Sequence, residues 1–143
     1  MKNIRYMSFK RIITILFLLN MTPLKPCPLS QDVEDMGLTT AQLEQRLLTL
    51  VNEERSRNRL SVLAGDELLT QVARAHSRKM ADEKRISHTF LHYPALDARA
   101  GRAGVFFSQI AENVAMSDTF ITRLIHQALM DSPRHRQNIM NQE

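Results

Sequence analysis

Apolar residues recur at helical spacing in three separate stretches, and each stripe must be covered by something. The first stripe is Leu43, Leu47, Leu50 and Val51, the second Leu69, Val72, His76 and Met80. The third is Phe120, Ile121, Leu124, Ile125, Ala128 and Leu129. Period 3.6 with one apolar side describes helices that pack on a partner layer. Cys27 is the only cysteine of the 143 residues, so no intrachain disulfide stands in for a core. The fold must therefore be closed by burying helix faces on each other or on a sheet.

The ends of these helices are also written in the sequence. Thr39 followed by Gln42 forms a capping box, which predicts a first helix at about 40–57, ended by Asn58 and Arg59. Asp66 is an N-cap and Glu67 suits the helix dipole, which opens a second helix that fades near Lys84 and Arg85. Asp118 is placed to cap the third. Pro94, Gly101 and Gly104 punctuate 92–104 as loop or short helix, and Val105–Ile110 is a small apolar run with strand character. Ser132-Pro133 starts a last short helix, with the hydroxyl as cap and Pro at its first position. Helix is expected to dominate.

Residues 1–30 stand apart. Lys2, Arg5, Lys10 and Arg11 precede the apolar run Ile12–Leu19, and Asn20, Pro23, Pro26 and Pro28 follow it. A basic start, a short apolar middle and a helix-breaking end describe a secretory signal peptide. The run is shorter than a membrane-spanning helix requires; a short uncleaved anchor is the other reading. Leu24-Lys25-Pro26-Cys27 is a poor match to a lipoprotein signal. Residues 31–39 read as a polar linker, and 40–143 as one domain.

The formal charge of +4 comes from this leader. Taking Lys2, Arg5, Lys10, Arg11 and Lys25 from the 19 basic residues leaves 14, against 15 acidic residues that all lie beyond residue 30. A nearly neutral domain lacks the basic footprint of a nucleic-acid binder, which argues against a helical DNA-binding module.

Three polar residues sit in apolar or constrained surroundings: His88, Glu112 and His135. Two imidazoles and a carboxylate suit zinc when a coordination position is left for water. Their spacing is long, so only the fold can gather them. Each also has a plainer reading. Isolated histidines are commonly structural or at the surface, and Glu112-Asn113 is compatible with a solvated turn. His135 falls in the first turn of its helix, where the dipole disfavours the imidazolium. His76, on the apolar side of the second helix, reads as a core histidine with a satisfied ring N–H. Arg134 and Arg136 read as solvated, Asn138 as bonded to local backbone, and Ser132 as a cap with no adjacent base.

Taken in order, these segments resemble the CAP superfamily, which groups cysteine-rich secretory, antigen 5 and pathogenesis-related proteins, and within it the disulfide-free bacterial branch. The likeness rests on Asn52-Glu53-Glu54-Arg55, on Asp66 and Leu69 followed by Ala73, His76-Ser77 and Met80-Ala81, and on Ile86-Ser87-His88. It continues through Ala111-Glu112-Asn113-Val114-Ala115 and the closing run Leu129–Met140 with Ser132-Pro133-Arg134-His135-Arg136. The resemblance implies an α/β fold, a three-layer α-β-α sandwich with a cleft. It carries His88, Glu112 and His135 onto three of the family's two-His, two-Glu set, which in some members binds zinc or another divalent cation. The second Glu has no counterpart here. Ala111 and Arg134 stand where the family has Gly, and Leu129 where it has Trp.

The family domain continues beyond the position of Asn141 into strands that complete the sheet. The expectation is therefore a helix-dominated, C-terminally truncated domain of reduced stability, or a fragment of a longer product. The resemblance implies a secreted protein, in the periplasm, at the cell envelope or outside the cell. It also implies binding of a lipid, glycan or protein in preference to catalysis. A zinc-dependent hydrolase using the same cleft is the alternative, and a truncated product without a complete site the third reading.

Overall fold

The computed structural model describes residues 13–19, 35, 37–118 and 121–142. The leader reading over residues 1–30 therefore lies outside the described residues except at 13–19, and Phe120 of the third stripe lies outside them too. The elements run β1 (Ile13–Leu19), α1 (Thr40–Arg57), α2 (Glu67–Asp82), α3 (Leu96–Arg102), β2 (Ala111–Ser117), α4 (Thr122–Asp131) and α5 (Pro133–Met140).

The local signals act as the sequence predicts in α1 and α2. In α1 the Thr39 hydroxyl accepts from the Gln42 backbone, while the Gln42 side chain accepts from the Thr39 backbone. Asp66 Oδ1 accepts from the Leu69 N–H at 3.0 Å and opens α2. Both helices end in the same turn. After α2 the Arg85 N–H reaches back to the Met80 carbonyl and the Lys84 N–H to Ala81, with Lys84 at φ +49°. After α1, Leu60 reaches Arg55 and Arg59 sits at φ +58°. This is the Schellman arrangement with a non-glycine residue at its left-handed position. At the end of α3 glycine fills that position, Gly104 at φ +82°. The turn at Lys84 sends the chain back across α2 and delivers Ser87-His88.

Three expectations are corrected. The strand is Ala111–Ser117, and Val105–Ile110 is not part of it. Val105 instead packs with Leu69 and Ala100 between α2 and α3. Asp118 does not cap α4; Asp35 does, its Oδ2 accepting from both the backbone N–H (2.6 Å) and the hydroxyl (2.7 Å) of Thr122. Arg46 pairs with the other oxygen of Asp35 at 2.7 Å. The stretch read as a linker thus contributes a buried side chain. The Ser132 hydroxyl makes no capping hydrogen bond, although Ser132 is the N-cap residue and Pro133 follows it as expected.

Alternation along β2 organises the layers, because successive side chains of a strand point to opposite faces. Val114 packs with Ala73, Met80 and Phe90 on the α2 side. Ala115 packs against Leu47, Val51, Ile125, Leu129 and Ile139, the joint core of α1, α4 and α5. Each of the larger side chains here, Val, Leu, Ile, Met or Phe, contributes roughly 1.5–3 kcal/mol on full burial. The strand therefore lies between two helical layers, the α-β-α order that the resemblance implies. β1 lies beside it in parallel, from Ile13 opposite Ala111 to Leu19 opposite Ser117. Ile13–Leu19 of the leader's apolar run is thus an extended strand of this two-stranded sheet.

Candidate functional site

The same alternation sends Glu112 and Asn113 to opposite faces of β2. Glu112 shares a face with Val114 and points toward α2 and α3. Asn113 shares a face with Ala115 and points toward α5. Both are buried, which corrects the reading of this dipeptide as a solvated turn.

Glu112 is the hub. Its side chain is 3 % exposed, and both oxygens are engaged. Arg99 Nη2 donates to Oε1 at 2.9 Å, from a guanidinium that is itself 5 % exposed. His88 Nδ1 donates to Oε2 at 3.0 Å. A carboxylate only accepts, so this bond places the His88 proton on Nδ1 and leaves Nε2 with a lone pair. The His88 ring is 53 % exposed, so a buried carboxylate holds a half-open imidazole in one orientation.

His76 lies beneath this pair and is fully buried. Its Nε2 donates to the Ser87 carbonyl at 2.9 Å and lies 3.7 Å from Glu112 Oε2. Its ring stacks on Tyr93 and meets Phe90 edge-on, with centroids 5.5 and 5.8 Å away. This is the core histidine expected from its place in the stripe. Burial lowers its pKa, with the nearby Glu112 charge opposing and the Arg99 charge assisting. By gripping the Ser87 carbonyl, His76 fixes the residue before His88.

His135 reaches the site from the other layer. Asn113 Nδ2 donates to the His135 carbonyl at 3.0 Å, and Asn138 Nδ2 donates to Asn113 Oδ1 at 2.8 Å. Asn138 is therefore bonded across to β2 and not to its local backbone. The His135 ring makes no hydrogen bond to Glu112 or His88 among the described residues. Its pKa is nonetheless lowered, first by burial and then by the charge of His88. Of the three residues singled out from sequence, then, His88 and Glu112 are in direct contact, and His135 is tied to the other face of β2 through its carbonyl.

Arg99 is the residue that sequence reasoning missed. Its signal is an arginine between Ala98 and Ala100, on the buried side of a short helix that also carries Asp97 and Arg102. Its partner is thirteen residues away, so no local spacing shows the pair.

Glu112, as it stands, has no oxygen free for a divalent cation. The Glu112 oxygens are already occupied by a guanidinium and an imidazole N–H. Among the described residues no group of three or more His, Cys, Asp or Glu is placed to hold a metal ion. The arrangement resembles instead the base-and-orienter half of a catalytic triad, or a fixed imidazole edge for recognition.

The signature of the Cysteine-rich secretory protein family, CAP, matches residues 48–143. The chain is 31% identical over 98 residues to Uncharacterized protein YkwD of Bacillus subtilis (strain 168), which covers 68% of this chain and 38% of that one. The crystal structure of an extracellular SCP-domain protein from Bacillus anthracis str. Ames superposes with a TM-score of 0.63 at 31% identity, covering 73% of this chain and 37% of the other. The chain thus spans well under half the length of either relative. Two helical layers around β2, with Glu112 and Asn113 facing opposite ways, are the framework on which the matched segments lie, and this chain belongs to the CAP family.

Proposed function

We propose that this is a secreted, non-enzymatic CAP-domain protein that binds a ligand or partner at the cell envelope or outside the cell. The observation that carries this reading is the half-exposed His88 ring held by buried Glu112. A recognition group is effective when its orientation is fixed before the ligand arrives, because little ordering cost then remains. His88 offers Nε2 as an acceptor, or as a donor once protonated, and His135 adds a second imidazole to the rim. That pair suits a lipid headgroup, a glycan hydroxyl or a polar protein loop. The extracellular SCP-domain relative supports export. So does the leader, residues 1–30, as a cleavable signal or a short anchor. Among the described residues no helix is long and apolar enough to cross a membrane. Cleavage of the leader would take β1 out of the sheet and leave that edge of β2 open.

Sedimentation with isolated bacterial envelopes tests the reading. The wild-type chain is expected to pellet with them. His88→Ala should weaken this roughly tenfold, the worth of one good hydrogen bond, while keeping its circular dichroism. Equal binding by folded His88→Ala, or no binding by the wild type, would overturn it.

The bond between His88 Nδ1 and Glu112 favours a second reading as a hydrolase. A zinc-dependent version needs Glu112 to release Arg99 or His88. A metal-free version would use His88 Nε2 to take a proton from water. Hydrolysis of p-nitrophenyl acetate that His88→Ala abolishes would favour it.

A further inference from the structure

We propose that Arg99 is the resident counter-ion of Glu112, standing in for a divalent cation, so that Glu112 is not a metal ligand in the cleft it shares with His88. The inference goes beyond the binding role above and does not depend on it. Arg99 and Glu112 are both almost completely buried, at 5 % and 3 % exposure, and meet at 2.9 Å. A carboxylate this deep needs a positive partner, and here the chain supplies one. The guanidinium keeps its proton at any ordinary pH, so it cannot vacate its place by becoming neutral. A cation brought to Glu112 would meet that fixed positive charge at close range.

The surroundings of Arg99 strengthen the assignment. Its Nε and Nη1 are buried without a hydrogen-bond partner, and the face of Tyr93 lies 5.7 Å from the guanidinium carbon. Glu112 is the one carboxylate paired with it among the described residues. Metal capture at Glu112 would therefore strand a buried guanidinium, which makes the exchange unfavourable. On the other oxygen, the His88 N–H blocks the approach and His76 lies 3.7 Å away. The second Glu that the family pattern would supply is absent, and Arg99 removes the need for a metal to balance the first.

The experiment is a zinc titration of the full chain, read from the side-chain carboxyl carbon resonance of Glu112. In the wild type it should stay unchanged in excess zinc, whatever the histidines do. In Arg99→Met, which keeps bulk and removes charge, it should shift saturably, with affinity at least roughly tenfold above the wild type. Arg99→Lys should behave as the wild type. A saturable zinc-dependent shift of Glu112 in the wild type overturns the proposal, as does folded Arg99→Met that gains no zinc affinity. If Arg99→Met fails to fold, the wild-type titration decides alone. Because the readout is metal at Glu112, failure here leaves the envelope-binding test standing.

Discussion

The side chains of Asn113 and Asn138 meet at 2.8 Å, and through this contact β2 holds α5. Asn113 uses its amide at both ends, accepting from Asn138 and donating to the His135 carbonyl. It is completely buried, so no water replaces either partner. Asn113→Ala should destabilise the chain by about 2 kcal/mol, from two lost bonds and the groups they leave bare. Asn138→Ala should cost about half that. Urea denaturation checks both, and an Asn113→Ala loss below about 0.5 kcal/mol would show that the pair is not a tie.

Arg55 closes the other end of α5. Its Nη1 donates to the Ile139 carbonyl at 2.6 Å and the Asn141 carbonyl at 2.9 Å, and its Nε to Ser61 at 2.8 Å. One buried guanidinium thus joins α1, the link after it and the last helix. Arg55→Ala should cost about 3 kcal/mol. Arg55→Lys should recover only part of this, because an ammonium lacks the planar fork. Thermal melts of the two variants should fall in that order.

Asp35 and Asp118 make a matched pair. Asp35→Ala should destabilise by about 1–2 kcal/mol, since it removes the cap of α4 and the partner of Arg46. Asp118→Ala, at the position that local sequence favours as the cap, should stay within about 0.5 kcal/mol of the wild type. Hydrogen exchange at the first turn of α4 should quicken in the first variant only.

Lys84, at φ +49°, carries a side chain where the backbone favours glycine. Lys84→Gly should stabilise by about 0.5–1 kcal/mol, because the left-handed conformation is strained for any residue with a Cβ. A lower melting temperature for Lys84→Gly would mean that the lysine side chain makes up the difference.

Burial lowers the pKa of both His76 and His126 from the ordinary 6.5. Near and below that value the unfolded chain binds protons that the folded chain refuses. The stabilising effect is complete above pH 6.5 and is lost as pH falls through the lowered folded values. The melting temperature should therefore drop between about pH 7.5 and about pH 5.5, before most carboxylates titrate. His126→Gln should flatten that slope; an unchanged slope would remove His126 from the account.

Sequence and structure divide the work by distance along the chain. Helical stripes, the Thr39–Gln42 box, the Asp66 cap and Pro133 are settled within a few residues, and each was legible because propensity and capping act over one turn. The order of segments also carried His88, Glu112 and His135 as a group. What the sequence could not show were partners chosen across the fold. Local rules favoured Asp118 as a cap, yet Asp35, 87 residues from Thr122, has the burial and the Arg46 charge to take that place. Spacing favoured Val105–Ile110 as the strand, yet packing on α2 and α3 claimed Val105. Family order marks Glu112 as a candidate metal ligand, and only the fold shows that α3 lays Arg99 against it. Whether a buried carboxylate is neutralised by an ion or by the chain's own guanidinium depends on which charges the packed layers bring within about 3 Å, and only the tertiary structure decides that.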